Sequence, residues 1–336
     1  MKGPNPFVLW DENPKEISGR KEEVRIFNSF ANEAASKQGG GILVFGVPGT
    51  GKTTLLRHFG YLAEKSGILA PYTKVEKGES LEVTIDKLYN ELRVIPGAKI
   101  GKTAPKTVKE LIEVVEMGGK HFGTVFFIDD FDKMKKSNDA IIDIEKELKG
   151  FWGEKTAGFV LSSTREFKFS SSLVRKMKIG AFEEHEGHEV VEKALGKESP
   201  RMGDECFNSI MNDTQGNPLL FKTVCHHIYA RLRDNEKVIS KGHYLAYLPY
   251  IMSMLSREWF GKMYQETPGA EKEILLALAK NESMHVSDIA NELGKPLGPV
   301  TALIKRLLDR GQIVKLDRGK YRIFAKLYGR YVIQRS

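Results

Sequence analysis

The sequence predicts an α/β fold on a parallel sheet, followed by a helical region and a small basic module at the C-terminal end. Three observations carry this. An apolar run enters a glycine-rich turn and then a helix at Gly41–Leu56; two further apolar runs, 125–128 and 159–161, end in polar residues; and after Thr267 three helical stretches lead into two short strand-like ones.

The first of these, GILVFGVPGTGKTTLL, fits the P-loop pattern G-x-x-x-x-G-K-[ST] at Gly46, Gly51, Lys52 and Thr53, in the strand-then-helix setting the pattern requires. Val47, Pro48, Gly49, Thr50 and Thr54 complete the loop. The glycines let backbone N–H groups curl around phosphates, and the following helix offers them its positive N-terminal end. Lys52 is expected to reach the β and γ phosphates and the Thr53 hydroxyl to ligate Mg²⁺, so the implied ligand is ATP or ADP with Mg²⁺.

The second run, TVFFIDDFD, reads as a buried parallel strand ending in acids. Asp129 is expected to hold Mg²⁺ through water, and Asp130 to orient and polarise an attacking water. Asp132 either joins them or caps the next helix. The third run, AGFVLSSTRE, ends at the edge where open α/β sheets bind ligands, so Thr164 or Arg165 either contacts the γ phosphate or lies in plain loop. Between the loop and the acids, 70–76 reads as a strand, 81–92 and 108–116 read as helices, and Lys74 and Lys77 as solvated.

Charge is uneven. The chain carries +8 overall, and the segment from Thr301 onward, with ten Lys or Arg against Asp309 and Asp317, accounts for all of it. Such asymmetry points to a polyanionic partner for that end. No apolar run approaches the roughly 18 residues of a membrane span, and the opening lacks a signal-peptide core, so a cytoplasmic protein without membrane contact is expected. Cys206 and Cys225 are too few and too far apart for a zinc or disulfide framework and read as reduced, buried thiols. His226 and His227 are helix neighbours about 100° apart, a poor arrangement for sharing an ion.

With these motifs the chain resembles additional-strand P-loop ATPases of the AAA+ and STAND kind, and more narrowly the archaeal ATPase family beside the origin-recognition and initiator ATPases. EISGRKEEV is similar to the family's opening motif, which implies that Ile17, Gly19 and Arg20 lie near the adenine. SSTRE is similar to the end of the sensor strand in STAND switches, which implies a sensor role for Arg165. SSLVRKMKIG is similar to the stretch where relatives place an arginine finger before a short strand and the lid; Arg175 is the nearest candidate, and a finger implies a homo-oligomer. GNPLL is similar to the family's Gly-x-Pro motif, which implies Pro218 packing near ribose and base, although a plain turn explains the same residues. Initiator-type relatives usually carry an arginine there. Here no Arg lies between Met202 and Tyr229, and a proline cannot stabilise a transferring phosphoryl charge, so slow turnover is expected.

The C-terminal stretch reads as a winged helix. Pro268 starts one helix, HVSDIANELG gives a second with Ser287 as its cap, and LGPVTALIKRLLDRG gives a third; a hairpin follows around Asp317, Arg318 and Gly319. A helix-turn-helix presents its recognition helix to the major groove. Lys305, Arg306, Arg310, Arg318 and Lys320 are expected at phosphates and Thr301 at a base edge of double-stranded DNA. The expected division is an ATPase core at 1–180, a helical lid at 181–242, a linker helix at 243–266 and the winged helix at 267–336. Two rival readings remain: a nucleotide-gated signalling switch whose winged helix binds a protein partner, and an initiator-like DNA loader acting as an oligomer.

Overall fold

The computed structural model describes residues 4–9, 14–116, 121–196 and 200–336. The opening residues 1–3 and 10–13, part of the stretch read as lacking a signal-peptide core, lie outside the described ones. The chain forms two compact units, one of residues 11–46 with 51–179 and the other of 1–10, 47–50 and 180–336.

The first unit runs α1 (Lys21–Ala35), β1 (Gly41–Phe45), α2 (Lys52–Lys65), β2 (Ile68–Leu69), β3 (Tyr72–Lys74), α3 (Leu81–Val94), β4 (Lys99–Ile100), α4 (Val108–Glu113), β5 (Val115–Glu116), β6 (Gly123–Asp129), α5 (Ser137–Gly150), β7 (Ala157–Ser163) and β8 (Val174–Lys178). Its main sheet has the order β2-β6-β7-β1-β8, with β3 also on β6, and every pairing in it is parallel. Because strand side chains alternate, the continuous apolar runs feed two cores at once. Ile42, Val44, Val125 and Phe127 pack on one face with Phe27 and Phe59, whereas Leu43, Phe126 and Ile128 pack on the other with Leu88 and Ile144. The helix expected over 108–116 ends at Glu113. β5 instead pairs antiparallel with β4 across Ile100 and Val115, where a β-branched residue suits a strand better than another helical turn.

The second unit contains α6 (Glu184–Leu195), β9 (Arg201–Met202), α7 (Asp204–Thr214), α8 (Pro218–Arg231), β10 (Val238–Ile239), α9 (Lys241–Leu255), α10 (Gly261–Gln265), α11 (Gly269–Lys280), β11 (Met284–His285), α12 (Val286–Glu292), α13 (Leu297–Asp309), β12 (Ile313–Asp317), β13 (Lys320–Ile323) and α14 (Lys326–Arg335). The linker helix departs from plain α geometry through a π turn at Ser256–Phe260. Helix α12 is capped by His285 with Asp288, not by Ser287, which lies inside it. The wing is three-stranded, since β11 pairs with β13. Helix α14 has no counterpart in the sequence reading. It packs Tyr328, Tyr331 and Val332 into a core that runs on through Phe260 and Tyr244 to Phe221 and Phe207. Arg330 also donates to Asp213 at 2.9 Å, and Tyr244 OH donates to the same carboxylate. Helices α7 and α8 and the winged helix therefore share one core.

Cys206 and Cys225 are buried free thiols, as expected. Burial pushes Cys206 up to about 12 and Cys225 well above its ordinary value. His226 Nδ1 bonds the Phe7 carbonyl at 2.8 Å, and His227 meets the Tyr250 ring edge-on.

Candidate nucleotide site and basic module

In the first unit the carboxyl ends of β1, β6 and β7 bring Gly46, Asp129 and Ser163 to one edge of the sheet, and Gly46 N–H donates to the Ser163 carbonyl. Gly51 holds φ 89° at the start of α2, a left-handed turn that glycine makes without penalty. Lys52 is 8% exposed and donates to the Gly46 carbonyl at 2.7 Å. Burial lowers its ammonium to about 8, with Asp132, Asp130 and Asp129 opposing the shift.

The fully buried Asp129 carboxylate is the hub. Thr53 Oγ1 donates to its Oδ2 at 2.7 Å, Tyr72 OH to the same oxygen at 2.9 Å, and Ser162 Oγ to Oδ1. Burial first, and then the charge of Asp129, push the Tyr72 phenol above its ordinary value, which keeps it a donor. Asp130 follows in a left-handed turn at φ 55°, a conformation Asp tolerates better than most residues, and its N–H donates to Ser162 Oγ. Its carboxylate takes Lys133 at 2.7 Å and Lys74 at 3.3 Å. Burial alone would raise Asp130, but the two ammonium groups outweigh it and hold the carboxyl below its ordinary value. Lys74 is exposed, as expected, and also pairs with Asp130.

Lys52, Thr53, Asp129 and Asp130 come together and Asp132 adds its charge beside Lys52, while the other expected residues have separate partners. Asp132 accepts from both the N–H and the hydroxyl of Thr164, tying the end of β7 to the turn after β6. Arg165 donates to Ser137 Oγ at 3.1 Å and lies over the Phe167 ring. Arg175 sits on β8 itself and pairs with Glu33 at 2.6 Å. Ile17 packs beside the Phe27 core, and Arg20 lies 3.5 Å from Glu23. Ser162 and Tyr72 were missed by sequence reading. Ser162 lay in the polar end of β7, and the parallel register that sets Ile128 beside Leu161 carries it to Asp129.

The second unit holds the rest of the loop, Val47–Thr50. The Gly216–Pro218 corner lies against these residues. Gln215 and Gly216 take positive φ after α7, and Asn217 caps α8 by accepting from Leu220 N–H. The Asn217 amide also donates to the Pro48 carbonyl at 3.0 Å, and Leu219 N–H donates to the Gly49 carbonyl at 3.0 Å. Pro218 is buried at the first turn of α8. Gly311, just after α13, leaves no room for a side chain, because a Cβ there would lie 2.1 Å from Pro48 Cδ.

On the winged helix, Thr301, Lys305 and Arg318 are exposed and Lys320 is half-buried. Arg306 and Arg310 face the buried Glu271 carboxylate at 3.9 and 3.4 Å, and Arg310 also donates to the Glu266 carbonyl.

Comparison with known proteins agrees with this architecture. Residues 16–143 match the AAA ATPase domain family, and residues 270–314 match the winged helix-turn-helix DNA-binding family. No curated protein matches the chain by sequence. Among solved structures, the Walker-type ATPase PABY2304 of Pyrococcus abyssi aligns at a TM-score of 0.71 and 14% identity, over 98% of this chain and 99% of that one. The Orc1 protein of Aeropyrum pernix in complex with DNA aligns at 0.52 and 15%, over 99% of this chain and 96% of that one. Cdc6p of Pyrobaculum aerophilum aligns at 0.53 and 13%, over 98% and 97%. At these identities the likeness is one of fold. Among the described residues no helix is long and apolar enough to cross a membrane.

Proposed function

We propose that this chain, which carries an AAA ATPase domain followed by a winged helix, binds ATP with Mg²⁺, hydrolyses it slowly, and uses the nucleotide state to position the winged helix on double-stranded DNA. One observation carries the coupling: P-loop residues 47–50 belong to the same compact unit as the winged helix, held there by the Asn217 and Leu219 hydrogen bonds. The four-part division at 180, 242 and 266, the cytoplasmic setting and the STAND-like switching are parts of this proposal.

The site's chemistry suits the ligand. The loop 46–52, the N-terminal end of α2 and Lys52 supply N–H groups and positive charge for phosphates. Thr53 and Asp129 are hard oxygen donors that suit Mg²⁺. Mg²⁺ held by Thr53 and Asp129 would offset the charge of the phosphates. Asp130, kept anionic between Lys133 and Lys74, orients a water by charge more than by taking its proton. Ile17 and Arg20 are assigned to the base, Pro218 to ribose and base, and Arg165 to sensing; Arg175 acts as a finger in an oligomer only by leaving Glu33.

Replacing Asp130 by Asn is expected to keep nucleotide affinity within about threefold and lower turnover by about 100-fold or more. Single-turnover measurements check this, and unchanged turnover moves the water-orienting role elsewhere. For DNA, the plot of log K against log[salt] is expected to be steep and to differ between ATP and ADP, with Lys305→Ala lowering the slope by about 0.9. A flat plot sinks the DNA reading. It would favour the switch with a protein partner, a reading supported by the engagement of Arg306 and Arg310 with Glu271.

A further inference from the structure

Resting on the nucleotide-site reading, we propose that Tyr72 and Arg57 form a positioning pair that holds the Asp129 carboxylate in register with the P-loop helix, beside a Thr53 hydroxyl whose oxygen is shared with the divalent ion.

The observation behind it is a closed ring of contacts. Thr53 and Arg57 stand four residues apart on α2, so they share one face of the helix. Thr53 reaches Asp129 directly at 2.7 Å. Arg57 places its guanidinium carbon 3.4 Å from the centroid of the Tyr72 ring, and Tyr72 OH donates to the same Asp129 oxygen at 2.9 Å. The helix is therefore tied to the acid twice, once by a hydroxyl and once through a stacked cation and a phenol.

The two ties differ in what metal binding does to them. A hydroxyl ligates an ion through an oxygen lone pair and keeps its proton, so the Thr53 tie is divided between the ion and the acid. The Tyr72 link involves no metal ligand besides Asp129 and persists. Ser162 holds the other carboxylate oxygen from β7, so Asp129 stays gripped from both neighbouring strands. Strand β3 serves both acids, because Tyr72 and Lys74 lie two residues apart on one face and address Asp129 and Asp130 respectively. A guanidinium over a tyrosine face is a favourable and directional contact, which fixes where the phenol points.

The test compares metal dependence with nucleotide affinity. Fluorescent ADP is titrated into the full chain in EDTA and in Mg²⁺, and Mn²⁺ is titrated into the ADP-bound chain and followed by electron paramagnetic resonance. Tyr72→Phe removes the hydroxyl and keeps the ring. It is expected to leave ADP affinity in EDTA within about twofold and to weaken Mn²⁺ binding by about 10-fold, the low end for an outer partner of a metal-holding group. Arg57→Ala is expected to do the same to a smaller degree, and Arg57→Lys to restore part of the loss. The Arg57 pair also decides the matter should Tyr72→Phe fold poorly. Mn²⁺ binding unchanged in Tyr72→Phe, or for a poorly folded Tyr72→Phe unchanged in Arg57→Ala, would overturn the proposal. A wild-type chain that binds ADP with no gain from Mg²⁺ would overturn the nucleotide-site reading as well, so the two failures are distinguishable.

Discussion

Lys52→Met is expected to lower affinity for ADP and ATP by about 100-fold or more while raising the stability of the nucleotide-free protein. Both effects come from one fact, an ammonium that is buried beside the Gly46 carbonyl and lowered by that burial despite the three aspartates near it. The loss follows from charge-assisted hydrogen bonds in a dry site, each worth about 1.5–3 kcal/mol, so losing one or two costs roughly two powers of ten. The gain follows from linkage. Burial lowers the Lys52 pKa from 10.5 to about 8, so the unfolded chain binds the proton more tightly than the folded one. The penalty is fully present below about 8, where it is on the order of 3 kcal/mol, and it fades as pH rises toward 10.5. Methionine fills similar space without the charge and leaves no cavity. Isothermal titration with ADP and denaturant unfolding in EDTA measure the two arms. For the wild type, metal-free ADP affinity should fall as pH rises through about 8, as Lys52 loses its proton. A destabilised Lys52→Met would show that the bond to the Gly46 carbonyl and the charges of Asp129, Asp130 and Asp132 outweigh the cost of burial.

What the sequence discloses and what it hides divide along a physical line. Lys52, Thr53 and Asp129 are legible because the P-loop's spacing and the acid at a strand end are local patterns with one structural consequence each. Tyr72, Ser162 and Lys74 are hidden because their meeting with the acids depends on which strand lies beside β6 and in what register, and nothing within a few residues of them specifies that. Thr164 and Arg165 drew attention by polarity, yet Thr164 closes onto Asp132 and Arg165 turns to Ser137 and Phe167, local bonds that the polar pattern alone does not separate from ligand contacts. The same limit applies to caps. Ser287 is a better intrinsic N-cap than histidine, but pairing of Met284 and His285 with β13 fixes the strand end and leaves His285 at the helix start. Helix α14 escaped because its tyrosines and basic residues read as tail until the core that receives them is assembled.

Arg310→Ala is expected to destabilise the protein by about 3 kcal/mol, more than a surface arginine should cost. Glu271 is 0% exposed, and among the described residues neither of its carboxylate oxygens has a hydrogen-bond donor. Its compensation is Coulombic, from Arg310 Nε at 3.4 Å and, more weakly, from Arg306 at 3.9 Å. Arg310 is itself anchored by its bond to the Glu266 carbonyl, so its position is set before the carboxylate is counted. Removing it leaves a buried charge with one distant and exposed partner, and breaking such a pair costs more than the pair contributes. Arg306→Ala should therefore cost under about 1 kcal/mol, the range of an exposed pair. The neutral double variant Glu271→Gln with Arg310→Ala should recover at least half the loss, since an amide has no charge to strand. Denaturant unfolding of the set measures all three. The outcome also decides how DNA experiments on the recognition helix are read. If Arg310→Ala lowers both stability and DNA affinity, the DNA loss reports a disturbed helix α13, and Lys305 and Arg318, exposed and outside this pair, become the proper probes of phosphate contact. An Arg310→Ala variant with unchanged stability would instead release this side chain from the core and return it to the DNA-facing surface.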